Sequence, residues 1–164
     1  MSKPHPDQEF IALSCAVITV SDTRTPETDR SGQLMKTKLE ENGHQIVDYM
    51  IIPDEPEQII QEVSRLGKIE ELAVILCNGG TGIAPRDTTY DALVTLLEKT
   101  LPGFGELFRY LSYQEIGSRA IASRAIAGVY QNKLVFSLPG SSNAVKLGLE
   151  QLILPELIHL VTYL

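Results

Sequence analysis

In the stretch AVILCNGGTGIAPRD, residues 73 to 87, an apolar run stops at Asn78, and Gly79, Gly80 and Gly82 surround Thr81 ahead of Arg86 and Asp87. Consecutive glycines let several backbone N–H groups converge on one point, and such a nest between a strand and a helix accommodates an anion, a phosphate above all. The same glycines have a plainer use as tight-turn residues whose backbone angles side chains disfavour. A second turn of related composition, LPGSSN, supplies Pro139, Gly140, Ser141 and Ser142, with hydroxyls at the start of a helix. Carboxylates complete the set: Asp22 following Ser21, Asp54 following Pro53, Asp87, and Glu106 in GFGE. Beside a bound phosphate such groups repel it unless a divalent cation lies between, and Mg2+ takes one or two carboxylates and fills its shell with phosphate oxygens. Nucleotide chemistry is the implication. Against it stand local uses, Asp87 as a charge at a helix N-terminus and Asp54 as a turn residue. Arg86 is either a phosphate partner or a solvated surface side chain.

Several familiar chemistries are excluded. No G-x-x-x-x-G-K-[ST] phosphate loop occurs, and the dinucleotide fingerprint fails because Pro85 stands where the third glycine after Gly80 and Gly82 belongs. There is no G-x-S-x-G elbow, and His5, His44 and His159 are scattered, which argues against a serine–histidine hydrolase. Cys15 and Cys77 fall within apolar runs and read as buried, reduced packing residues; without neighbouring histidines they make no zinc site. Fourteen basic against 21 acidic side chains give a net charge of −7, and no Lys/Arg run offers a footprint for nucleic acid or an anionic membrane. No apolar run is long enough to span a bilayer and the N-terminus lacks a signal-peptide pattern, so the cytoplasm is the expected location.

The elements that must position these groups follow from periodicity. IALSCAVITV reads as a buried strand followed by the polar loop SDTRTPETDRSG, then a helix from about Ser31 that stops at Asn42-Gly43. HQIVDYMIIP is a second strand, and Ile59, Ile60, Val63 and Leu66 mark an amphipathic helix from Glu55. ELAVILC is a third strand, apolar on both faces, and Thr88 is placed to cap the helix carrying Leu93, Leu96 and Leu97. KLVFSLPG is a further strand, SSNAVKLGLEQLI a helix entered through a serine cap, and Pro155 restarts the chain as a last helix. Alternation of this kind predicts an α/β fold, three layers around a mostly parallel sheet, with ligands bound beyond the carboxyl ends of the strands. Residues 1–10 read as a flexible arm and 11–164 as a single domain. The five-residue unit in SRAIASRAIAG, written twice, has no evident role, and Arg119 and Arg124 read as surface residues.

In this order, AVITVSD, the D-x-S-G of Asp29, Ser31 and Gly32, PDE, GGTG, RD, PGFGELFR, SRAIAG and LPGS resemble the MoaB/Mog type of molybdenum cofactor biosynthesis protein over about residues 12 to 158. LSYQEIGSRAIASRAIAGV is closer to the MoaB version. The resemblance implies a molybdopterin-binding domain that assembles as a trimer, or a hexamer of paired trimers. It further implies molybdopterin as substrate, ATP as co-substrate with Mg2+, adenylylation with release of pyrophosphate, and a molybdenum insertase downstream. By the same resemblance Asp54 and Asp87 are the catalytic and Mg2+-binding pair. Gly79, Gly80, Thr81, Gly82, Pro139, Gly140, Ser141 and Ser142 hold the pterin or its phosphate, and Ser21, Asp22 and Glu106 line the same pocket. Asn78 stands where the family has threonine, and Thr88 and Tyr90 where it has valine and proline. A second reading is a protein of the same family that binds molybdopterin without catalysis or serves as an oligomeric scaffold. In LFRYLSYQEIG, the large side chains Leu107, Phe108, Tyr110, Leu111 and Tyr113 form either an oligomer interface or a core helix.

Overall fold

Strands that are apolar on both faces must be covered on both faces, and the chain answers this with helices on each side of one sheet. The computed structural model describes residues 9–164. Its six-stranded sheet has the order β2-β1-β3-β6-β5-β4. The strands are β1 (Ser14–Val20), β2 (Gln45–Ile52), β3 (Leu72–Asn78), β4 (Lys99–Thr100), β5 (Ile126–Tyr130) and β6 (Lys133–Leu138). The helices are α1 (Arg30–Glu41), α2 (Pro56–Gly67), α3 (Thr89–Leu96), α4 (Pro102–Ile116), α5 (Ser142–Gly148) and α6 (Leu154–Val161). A 3-10 turn, Gly117–Ala122, follows α4.

Successive residues of the strands point to opposite layers. Cys15 and Val17 of β1 and Val74 and Leu76 of β3 meet Met35, Leu39, Phe108, Val145, Leu149 and Leu157 on one side. Ala16, Ile18, Ile75 and Cys77 meet Ile59, Val63, Leu66 and Leu93 on the other. This is the expected three-layer α/β/α arrangement. Both cysteines are free and buried, and burial pushes each thiol up to about 12, so neither ionises near neutrality.

Register places the loops. β1, β2, β3 and β6 run parallel, with Val20 opposite Ile52, Thr19 opposite Asn78, and Asn78 opposite Leu138. Four strands therefore end level, and Ser21, Pro53, Gly79 and Pro139 leave the sheet along one edge. β5 and β4 add an antiparallel border that the sequence did not announce. β5 begins inside the second SRAIA unit. It turns into β6 through Gln131 and Asn132, both left-handed with φ of 46° and 58°, as a two-residue hairpin turn requires.

Two expectations change in detail. Pro155 does stand in the first turn of the last helix, α6, but no break in the coil precedes it. A π-helical segment, Leu149–Ile153, joins α5 to α6, widening the coil where the proline lacks an N–H and its ring crowds the preceding turn. In α4 the apolar segment divides: Phe108 is in the core, while Leu107, Tyr110 and Tyr113 are more than half exposed. Phe108→Ala should therefore cost about 3–5 kcal/mol in urea unfolding, and Tyr113→Ala should stay within about 0.5 kcal/mol for the single chain. Of the expected N-terminal arm, residues 1–8 lie outside the described residues, and Phe10 stacks on His44 with ring centroids 5.8 Å apart.

Candidate functional site

A buried carboxylate organises the edge. Asp29, the N-cap of α1, accepts from Gly32 N–H at 3.0 Å, from Thr19 Oγ1 at 2.6 Å and from Tyr49 Oη at 2.6 Å. Arg24 reaches Asp29 and Asn78 Oδ1, each at 3.4 Å, and donates to the Gly140 carbonyl at 2.7 Å. Ser31 Oγ donates to that same carbonyl at 2.6 Å and lies 3.4 Å from Ser142 Oγ. Asn78 Nδ2 donates to Thr19 Oγ1 at 2.9 Å. The loops after β1, β3 and β6 are thereby locked into one another. Asp29→Ala would leave Thr19 and Gly32 donors buried without an acceptor, and a loss of about 2–4 kcal/mol is expected in denaturant unfolding.

The glycine loop is shaped first by protein atoms. Gly79 and Gly80 have φ of 98° and 68°, and a side chain on Gly79 would run into the Val20 carbonyl. A Cβ on Gly80 would stand 2.5 Å from Asp54 Oδ2 and collide with Thr89 Oγ1; one on Gly82 would stand 2.8 Å from Asp87 Oδ2. Both expected aspartates therefore abut the loop from its own side. Asp87 Oδ2 accepts from Ala84 N–H at 3.0 Å, closing the turn back to the loop.

Asp54 is only 6% exposed. Its Oδ1 accepts from Thr88 N–H at 3.1 Å and Thr88 Oγ1 at 2.6 Å, so Thr88 occupies the N-cap position of α3 without capping the helix with its side chain. The Asp54 N–H donates to Asp22 Oδ1 at 3.0 Å, and Arg86 donates to Asp22 Oδ2 at 2.8 Å and to Glu55 Oε1 at 2.8 Å. The Arg86 bond, and then the Asp54 N–H, hold the Asp22 carboxyl below the usual carboxylate range. Arg86 is thus tied to two carboxylates and is not a free phosphate partner.

The expected residues are distributed over three clefts, not gathered in one. A cleft of about 320 Å3 is lined by Gly80, Thr81, Gly82, Asp87, Pro139, Gly140 and Ser141, with Ser112, Arg119 and Ser123 across from them. Ser21 and Asp22 line a second hollow with Arg24 and Tyr49, where Ser21 Oγ accepts from the Thr23 and Arg24 N–H groups. Glu106 lines a third with Tyr90, Arg109 and Arg124, which meets the first at Ser123. Ser21 and Asp22 thus line a different hollow from Glu106, and none of the three lines the glycine-loop cleft. Ser141 Oγ accepts from Ala144 N–H at 3.2 Å and caps α5.

Among the described residues no group of three or more His, Cys, Asp and Glu is arranged to hold a metal. What the edge offers is Asp87 at the cleft and Asp54 behind Gly80. Such a pair fits a hard cation that brings most of its oxygens with a phosphate substrate, and does not fit a fully protein-ligated ion.

Arg124 is the residue that sequence reasoning missed. Its N–H donates to the Thr81 carbonyl at 3.1 Å, its Nε to Gly82 O at 3.0 Å and its Nη2 to Asp87 O at 3.1 Å, while the fork grips Asp91 at 3.0 and 3.1 Å. The guanidinium also lies 5.0 Å from the Tyr90 ring centroid. Tyr90, where a proline was expected, is therefore a platform for the arginine that fastens the loop. The only sequence signal was the repeat itself.

Comparison with known proteins bears on all of this. The family model described as "Probable molybdopterin binding domain" matches residues 16–159. Molybdenum cofactor biosynthesis protein B of Bacillus subtilis (strain 168) is 57% identical over 150 residues, covering 91% of this chain and 88% of that protein. A crystal structure of a molybdenum cofactor biosynthesis protein B superposes with a TM-score of 0.92 at 50% identity, over 95% of this chain and 98% of the other. The tungsten cofactor synthesizing protein MoaB from Pyrococcus furiosus superposes at 0.83 with 38% identity, over 93% and 96%.

Proposed function

We propose, for a chain that belongs to the molybdopterin-binding-domain family and is a molybdenum cofactor biosynthesis protein of the MoaB type, that it adenylylates molybdopterin. The substrate's terminal phosphate oxygen attacks the α-phosphorus of ATP. A new phosphoanhydride bond forms, the bond to the β-phosphate oxygen breaks, and pyrophosphate leaves with the electron pair. A phosphate monoester is already ionised near neutrality, so the reaction needs positioning and charge neutralisation and no strong base.

The observation that carries this reading is the convergence of the glycine loop, Asp87 and the Pro139–Ser141 turn on one cleft. In this reading the loop and the Ser141 and Ser142 turn hold the pterin phosphate, and Asp87 and Asp54 would hold the Mg2+ that accompanies ATP. Mg2+ supplies neutralisation of the triphosphate. Arg124 and the Asp29 network hold the loops in register while the two phosphates meet. The protein would act as a trimer or as a hexamer of paired trimers, with a molybdenum insertase receiving its product.

The test is pyrophosphate release from Mg2+-ATP with and without purified molybdopterin. Pterin-dependent release is the expected result. Calorimetric binding of molybdopterin with no pyrophosphate formed would replace the enzyme by a binding module.

A further inference from the structure

The doubled unit SRAIASRAIA places two arginines, Arg119 and Arg124, five positions apart in the sequence, but the backbone treats them differently. Arg119 lies in the 3-10 turn Gly117–Ala122, whereas the chain is extended from Ser123 on its way into β5. Arg124 consequently turns inward and is fully engaged by Asp91 and by the carbonyls of Gly82 and Asp87. Arg119 is exposed, lines the 320 Å3 cleft opposite the glycine loop, and pairs with nothing among the described residues.

Two other arginines along this edge are committed. Arg24 is held by Asp29, Asn78 and the Gly140 carbonyl, and Arg86 by Asp22 and Glu55. The cleft nevertheless contains Asp87, whose charge opposes an anion, so an anionic ligand entering it requires a cation that is not already paired. A second unmet group adjoins the same space: Ser123 lines both this cleft and the neighbouring hollow, and its Oγ is buried with no hydrogen-bond partner among the described residues.

We infer that Arg119 is the phosphate handle of this cleft, donating its planar fork to the oxyanion of a phosphate monoester or phosphoanhydride. Guanidinium suits this role because it offers paired N–H donors and keeps its charge at all relevant pH values. The repeat then has a division of labour, with one copy fastening the loop and the other meeting the ligand. The inference rests on reading this cleft as the substrate site and names the residue that recognises the substrate's charge.

Inorganic phosphate, titrated into the full-length protein and followed by amide chemical shifts, separates this inference from the adenylylation reading because no turnover is needed. Wild type should show saturable shifts at Gly80, Gly82 and Ser141. Arg119→Gln should weaken that binding about tenfold or more, and Arg119→Lys, which keeps charge but loses the fork, should fall between. Arg65→Gln removes the same charge from the Asp48–Glu62 surface pair far from the cleft and should leave the affinity unchanged. With molybdopterin and Mg2+-ATP, Arg119→Gln should raise KM for the pterin while kcat changes little. Equal phosphate affinity in wild type, Arg119→Gln and Arg119→Lys overturns the assignment, as does an equal loss in Arg65→Gln. Should wild type release no pyrophosphate at all, adenylylation fails while the phosphate titration still decides Arg119.

Discussion

Asp87→Asn should lower pterin-dependent pyrophosphate release by about a hundredfold or more, the range seen when one preorganised charge-stabilising group is removed, with the unfolding midpoint nearly unchanged. The geometry makes this substitution unusually clean. Asp87 Oδ2 accepts from Ala84 N–H at 3.0 Å, and an asparagine carbonyl oxygen can accept the same bond. The Asp87 carbonyl that receives Arg124 Nη2 belongs to the backbone and is untouched. What is lost is a negative charge beside Gly82, at the cleft where a metal–triphosphate would lie. The measurement is kcat from pyrophosphate release at saturating substrates, with denaturant unfolding alongside. A variant that retains wild-type turnover would remove Asp87 from the catalytic role, and a variant that unfolds early would show that the charge serves the loop instead.

The parts of this site that could be read from the sequence are those whose chemistry is local. β1, β3 and β6 announce themselves because strands buried on both faces are continuous apolar runs, and the polar loops at their ends follow from where the runs stop. Asp29 was visible only as a motif residue, since a cap to Gly32 is a three-residue relation while its bonds to Thr19 and Tyr49 join three separate elements. The border strand β5 was hidden because it is five residues long with Ala127 and Gly128 at its middle, and Gly128 is needed where the Lys99 carbonyl crosses against it. The separation of Glu106 and Asp22 from the main cleft depends on side-chain pairing such as Arg86 with Asp22, which spacing alone does not specify. Arg124 was illegible for the same reason: its partners are backbone carbonyls about forty residues earlier, brought near because antiparallel β5 starts beside the carboxyl ends of β6 and β3.

Gly80→Ala tests the question posed by the glycines themselves. If glycine were present only to admit a ligand, alanine would cost affinity and nothing else. The structure gives it a second task, because φ is 68° and the missing Cβ faces Asp54 Oδ2 at 2.5 Å together with Thr89 Oγ1. A left-handed alanine costs about 1–2 kcal/mol, and forcing a methyl into an occupied space costs typically 1–3 kcal/mol more. Stability should therefore fall by about 2–5 kcal/mol in urea unfolding. Relief requires Asp54 to swing away, which breaks its 2.6 Å bond from Thr88 Oγ1 and displaces one of the two aspartates assigned to catalysis. A displacement near 1 Å costs on the order of a hundredfold in rate, so turnover should collapse even at temperatures where the variant is folded. Gly103→Ala is the control, since nothing lies within 4 Å of its added Cβ in the first turn of α4, and it should be neutral or slightly stabilising. Full stability and reduced pterin affinity in Gly80→Ala would instead assign the glycine to the ligand alone.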